Sequence, residues 1–208
     1  DVDRLCQFFA LAYQEPGYEV CLMGGEPTLH PQLLEIVDLI RSYNPYADVR
    51  LLTNLICDAE LINELLRRRV RFMVNLGRPE YNTTEGQEMV QRNTDLLAQA
   101  PDHPYSVGIT VTHPDETFDF LYDVLRRDAG RAVASVRIGL ASPGYEFKNA
   151  FVDSALDYGQ AYMDIVENCH RINPRLLFNN ECPVNLCVMP EDIYSRLKPV
   201  VSNLTTWS

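Results

Sequence analysis

Apolar positions in this chain follow two rhythms that alternate almost without a break. Val2, Leu5, Cys6, Phe9, Ala10 and Tyr13 recur at helical spacing on one face, and Pro16-Gly17 stops that helix. The apolar run Tyr18-Glu19-Val20-Cys21-Leu22 follows and reads as a buried strand. Residues 31–43 place Leu33, Ile36, Val37 and Ile40 on one helix face, with Pro31 suited to the first turn. Asn44-Pro45 marks a turn, and Val49 to Leu52 is the next strand. Asp58 is placed to cap a helix built on Leu61, Ile62, Leu65 and Leu66, and Val70 to Leu76 is strand again. A helix over 84–100 uses Met89, Asn93, Leu96 and Leu97, and a strand runs from Tyr105 to Thr112. A helix over 115–127 uses Phe118, Leu121, Tyr122 and Leu125, and a strand runs from Ala134 to Leu140. The pattern closes with a long helix over 152–172, a strand at 176–178 and a short helix at 192–197.

About six strands separated by helices predict parallel βαβ units, in either a doubly wound sheet or a barrel. Polar residues mark the carboxyl ends of successive strands: Gly24 to Glu26, Thr53-Asn54, Asn75, Thr110 and Thr112, and Ser142. That recurrence suits the rim of a barrel, whereas a doubly wound sheet gathers its site at one switch point. The expectation is therefore an α/β, partial parallel (β/α) barrel forming one domain over residues 1–208, with 176–208 beginning a C-terminal extension. A βα barrel ordinarily opens on a strand, and this chain opens on a helix, so a first strand and its loop are expected upstream.

Composition narrows the function classes. The 208 residues are 46% hydrophobic and 23% charged, which suits a packed globular core. Eighteen basic residues against 29 acidic ones give a net charge of −11, which argues against a nucleic-acid-binding face. The basic trio Arg67-Arg68-Arg69 reads as a solvated helix end. No apolar run approaches the ~18 residues of a membrane span. Six irregularly spaced cysteines (6, 21, 57, 169, 182 and 187) are no secreted disulfide framework and fit a reducing, cytoplasmic setting.

The chemistry concentrates in Met23-Gly24-Gly25-Glu26-Pro27-Thr28-Leu29-His30-Pro31. Two glycines at a strand's carboxyl end let backbone N–H and C=O groups approach a ligand with no Cβ in the way. Glu26 sets a carboxylate beside them and Pro27 stiffens the exit, a combination suited to a cationic amine. The later Gly and the Lys of a phosphate-binding P-loop are missing.

Gly24-Gly25-Glu26-Pro27-Thr28-Leu29-His30-Pro31, the helix after it, and Leu52-Thr53-Asn54 closing the next strand resemble the radical S-adenosylmethionine (SAM) superfamily. The resemblance implies that Gly24, Gly25, Glu26 and Pro27 form the loop holding the methionine amine of SAM. It implies that Asn54 and Asn75 orient the carboxylate or ribose. Thr112 then lines the cavity, and Ala141 lies by adenine. The family's fourth strand commonly ends in Ser-Leu-Asp-Gly, and this chain has Asn75-Leu76-Gly77-Arg78 there. The order of elements agrees from residue 1 to about 142, although only the glycine loop is fairly specific. The family also carries a 4Fe-4S cluster on Cys-x3-Cys-x2-Cys after the first strand, and no three cysteines here have that spacing. Either that segment precedes residue 1, which the absent first strand favours, or the chain is a degenerate member.

The implied activity of the full-length protein is reductive cleavage of SAM to a 5′-deoxyadenosyl radical that abstracts substrate hydrogen. The alternatives are a catalytically inactive SAM-like barrel serving as a binding or scaffold module, and an unrelated α/β-barrel enzyme. Cys182 and Cys187 are half of an auxiliary cluster site, and they are the only pointer to a peptide substrate. Two buried or idle thiols are the simpler reading of the pair. His30 and His113, each before a proline, read as capping or packing residues, and no histidine pair at i, i+4 suggests zinc.

Overall fold

The computed structural model describes residues 2–12, 19–140, 155–180, 191–199 and 201–202. The elements in order are α1 (Val2–Ala12), β1 (Glu19–Leu22), α2 (Leu33–Tyr43), β2 (Asp48–Thr53), α3 (Ala59–Arg67), β3 (Arg71–Asn75) and α4 (Thr84–Ala98). They continue as β4 (Tyr105–Val111), α5 (Asp119–Asp128), β5 (Val133–Leu140), α6 (Ala155–Ile172), β6 (Leu177–Asn180), α7 (Glu191–Leu197) and β7 (Val201–Ser202). The chain divides into two compact units, Asp1–Tyr105 and Ser106–Ser208.

In the first unit β1, β2 and β3 are parallel and lie in sequence order, with Val20 opposite Val49 and Leu51 opposite Phe72. In the second unit β5, β6 and β7 repeat this, with Val136 opposite Phe178 and Phe178 opposite Val201. Right-handed crossovers that always advance one strand in the same direction put the connecting helices on one face of the sheet. A doubly wound sheet reverses direction instead. The α/β, partial-barrel expectation therefore holds, with the two-residue β7 as an addition to the expected strands.

Strand β2 shows why the core forms. Val49, Leu51 and Thr53 are buried while Asp48, Arg50 and Leu52 between them are half-exposed, the two-residue period of a pleated strand. Helices α2 and α3 bury Leu33, Val37, Ile40, Ile62 and Leu65 at their 3.6-residue period. Each such side chain contributes about 1.5–3 kcal/mol on full burial. Arg68 forks onto Asp38 of α2 at 2.8 and 3.0 Å, but an exposed pair of this kind contributes about 0–1 kcal/mol. Packing holds the helices, and the ion pair trims their orientation.

Three local expectations are revised. Of the apolar face on α1, only Cys6 and Ala10 are buried, whereas Val2 is 48% and Leu5 56% exposed. The small side chains let α1 approach α2 closely, and Tyr43 Oη donates to Asp3 at 2.6 Å while Asn44 Nδ2 donates to the Ala10 carbonyl at 3.0 Å. Helix α2 starts at Leu33, because Pro27–Leu29 forms a 3-10 turn first and His30 Nδ1 accepts from Gln32 N at 3.1 Å. That bond gives His30 its capping role. Asp58 occupies the N-cap of α3 without a side-chain capping bond, whereas Thr83 does cap α4, accepting from Gly86 N at 3.1 Å.

Candidate functional site

Strand β1 ends at Leu22, and the backbone turns at once through Gly24 (φ 107°) and Gly25 (φ 54°). Left-handed backbone costs an ordinary L-residue about 1–2 kcal/mol, so the conformation alone selects glycine here. A Cβ built on either residue meets nothing within 4 Å. The peptide groups of this turn are thus open, and no packed side chain of the described residues fills the space beside them.

Glu26 fastens the turn. Its Oε1 accepts from Thr28 N (3.1 Å), Thr28 Oγ1 (2.7 Å) and Thr53 Oγ1 (2.7 Å), and its Oε2 accepts from Asn54 N (2.8 Å). The first two bonds cap the 3-10 turn, in which Pro27 and Thr28 are buried. The last two reach the carboxyl end of β2, 27 and 28 residues along the chain. Charge-assisted bonds of this kind are roughly twice as strong as neutral ones. A carboxylate has about four lone-pair sites; three donors share Oε1, whereas Oε2 accepts from Asn54 N alone and retains a site for a ligand.

The receiving turn is equally ordered. Thr53 is 1% exposed, and its hydroxyl donates to Glu26 while accepting from Leu55 N at 3.0 Å. Asn54 Oδ1 accepts from Ile56 N at 2.9 Å, and Asn54 Nδ2 has no partner among the described residues, leaving it able to donate to a ligand carboxylate or hydroxyl. Leu55, fully buried, takes φ 60°. Behind it Asn93 of α4 donates Nδ2 to the Leu55 carbonyl at 2.9 Å and the Cys57 carbonyl at 2.8 Å. Burial pushes the Cys57 thiol up to about 11, and the negative Glu26 adds to the effect.

Gly24, Gly25, Glu26, Pro27 and Asn54 are therefore brought together. Asn75 closes β3 and is exposed; since Thr53 pairs with Val74, Asn75 is level with Asn54 on the same strand-end rim. In the second unit Thr112 follows β4 directly. Its N donates to Glu116 at 2.9 Å, its Oγ1 also bonds Glu116, and its carbonyl accepts from Tyr158 Oη at 2.8 Å. Thr112 thus has its N–H and hydroxyl tied into its own loop and its carbonyl tied to α6. Ala141, Cys182 and Cys187 lie outside the described residues.

Among the described residues no group of three or more His, Cys, Asp or Glu side chains is placed to hold a metal ion. Cys6, Cys57 and Cys169 are free thiols, and burial pushes Cys169 up to about 12. No helix among the described residues is long and apolar enough to cross a membrane. Sequence reasoning missed Thr28 and Asn93 as site-shaping residues. An asparagine on an otherwise apolar helix stripe was the visible signal for the second.

No family model matches the chain, and no curated protein matches it in sequence. Solved structures do match in fold. SuiB of Streptococcus suis bound to S-adenosylmethionine superposes with a TM-score of 0.58 at 12% identity, over 83% of this chain and 41% of SuiB. SuiB bound to the precursor peptide SuiA gives 0.54 at 12% identity, over 91% of this chain and 42% of SuiB. A domain of pyruvate-formate lyase-activating enzyme from Bacteroides vulgatus gives 0.58 at 17% identity, over 78% of this chain and 99% of that domain. The chain spans about two-fifths of SuiB. The fold is that of the radical SAM partial barrel.

Proposed function

We propose that this chain is the SAM-binding part of a radical SAM enzyme. The observation that carries the reading is the open Gly24-Gly25 backbone, latched through Glu26 to the Thr53-Asn54 turn, on a fold shared with a SAM-bound SuiB. The donor set fits the methionine end of SAM: backbone carbonyls and the spare Oε2 lone pair face an ammonium group, and Asn54 Nδ2 with Asn75 serves the carboxylate or ribose. Thr112 and Ala141 are assigned to the cavity and adenine side. Held against water, such a site orients its cofactor while the cofactor supplies the difficult chemistry.

When bound, a 4Fe-4S cluster would supply the electron that cleaves SAM, leaving a 5′-deoxyadenosyl radical to take hydrogen from substrate. No group of three or more His, Cys, Asp or Glu side chains among the described residues is placed to hold the cluster, and Cys182 and Cys187 are assigned as auxiliary ligands. A peptide substrate is the proposed class, supported by the SuiA-bound neighbour. A reducing cytoplasmic setting is the proposed compartment.

The test is anaerobic reconstitution of the full-length protein with iron and sulfide. Iron–sulfur absorbance together with 5′-deoxyadenosine release from SAM supports the enzyme. SAM binding without cleavage replaces it with an inactive binding module, and failure to bind SAM rejects both.

A further inference from the structure

Asn93 is 0% exposed on α4, a helix whose other buried positions include Leu97 and Ala98. Its Nδ2 spans two carbonyls of the turn after β2, Leu55 O at 2.9 Å and Cys57 O at 2.8 Å, 38 and 36 residues away in sequence. Its Oδ1 is buried with no hydrogen-bond partner among the described residues. A buried acceptor left unpaired opposes folding, so side-chain burial alone does not account for an asparagine here. Its two donated bonds do. They anchor the exit from Leu55, a non-glycine residue in the left-handed region (φ 60°), a conformation that persists only where its surroundings over-determine it. Arg92 Nη2 adds a longer bond to the same Cys57 carbonyl at 3.4 Å.

The chain of dependence is short. Leu55 in this conformation directs its N–H to Thr53 Oγ1, which leaves the Thr53 hydroxyl hydrogen for Glu26 Oε1 and aligns Asn54 N with Oε2. Glu26 in turn fixes the exit from the Gly24-Gly25 turn. We infer that Asn93 is a positioning residue for the ligand site: it touches no ligand, and by clamping Leu55 O and Cys57 O it holds the Thr53–Cys57 turn in the shape that the Glu26 latch requires. This rests on the SAM reading for the identity of the ligand, but the clamp itself is independent of it.

The experiment compares wild type, Asn93→Leu (similar volume, no donors), Asn93→Asp (same shape, donors replaced by acceptors) and Leu97→Ala in the full-length protein. Leu97→Ala removes buried packing from the same helix while leaving both Asn93 bonds to the turn in place, so it controls for loss of stability. Amide hydrogen exchange is followed in peptides covering residues 50–57 and 23–29, and SAM affinity is measured by equilibrium dialysis. The expected result is exchange at Asn54, Leu55 and Ile56 at least about tenfold faster in both Asn93 variants than in Leu97→Ala at matched global stability, with affinity reduced about tenfold. Exchange that rises uniformly across the molecule, or Asn93 variants that bind SAM as wild type does, overturns the inference. Wild type that binds no SAM rejects the ligand assignment, and a local rise in exchange then still establishes the clamp. Asn93→Asp preserves side-chain volume, so a result survives if Asn93→Leu fails to fold.

Discussion

Glu26 and Asp128 are both carboxylates that accept several hydrogen bonds at the end of a short element, yet they hold different things together. Asp128, 1% exposed at the end of α5, accepts from Arg131 N (3.0 Å), Ala132 N (3.1 Å) and Val133 N (3.2 Å), all within five residues. Its turn passes through Ala129 and Gly130 at positive φ, and a Cβ on Gly130 meets Asn173 at 3.4 Å. That is a closed nest that launches β5. Glu26 is half-buried, spends two bonds on a neighbouring turn and two on another strand's end, and stands beside glycines with open space above them. A closed, local nest is architecture. A long-range latch beside unobstructed backbone is what a ligand site requires, because it fixes donors and acceptors without filling the space they face.

The largest expected effect is that of Asp128→Ala. It strips the side-chain acceptor from the buried N–H groups of Ala132 and Val133 and from the part-buried one of Arg131, and should lower unfolding free energy by about 3–5 kcal/mol in urea titration, leaving SAM affinity of the folded fraction unchanged. Glu26→Gln keeps the size but sets an amide N–H against donors. Stability should fall by about 2 kcal/mol, and SAM affinity should fall at least tenfold, about 1.4 kcal/mol, by equilibrium dialysis. If Glu26→Gln alters stability alone, the contrast with Asp128 disappears.

Gly25→Ala and Gly130→Ala sharpen the same contrast with smaller changes. Each puts a Cβ on left-handed backbone at a cost of about 1–2 kcal/mol. Gly130→Ala should cost the more in thermal melts, because Asn173 must also give way, and should spare SAM binding. Gly25→Ala should lose more affinity than stability, since its methyl projects into the open space. The subtlest readout is Cys57. With its thiol near 11, about a thousandth is thiolate at pH 8, so iodoacetamide should label exposed Cys21 well before it. Removing the Glu26 charge lowers the Cys57 pKa, and Glu26→Gln should therefore speed its labelling, read by mass-resolved alkylation.

Much of the fold was legible because its signals are local. The stripes Leu33-Val37-Ile40 and Ile62-Leu65 announced α2 and α3, and the apolar run from Val49 to Leu52 announced a strand. Helix α1 shows the limit. Its spacing promised a broad buried face, but spacing reports which residues share a side and not whether anything covers that side. Among the site residues, the glycine turn and Thr53-Asn54 could be read because each is a contiguous pattern. Glu26 read as a ligand carboxylate; two of its four bonds come from threonine hydroxyls and two from backbone amides, one of each kind remote, and no local pattern encodes that.

The sequence by itself determined the succession of strands and helices, the need for glycine at positions 24 and 25, and an acid placed beside them, since periodicity, backbone sterics and charge are properties of neighbouring residues. Tertiary structure alone decided that Glu26 would meet Thr53 and Asn54, that Asn93 would clamp Leu55, and that the outer face of α1 would stay exposed among the described residues. Those outcomes depend on parallel register and helix docking, which bring together groups about 30 to 40 residues apart by contacts that no short stretch of chain specifies.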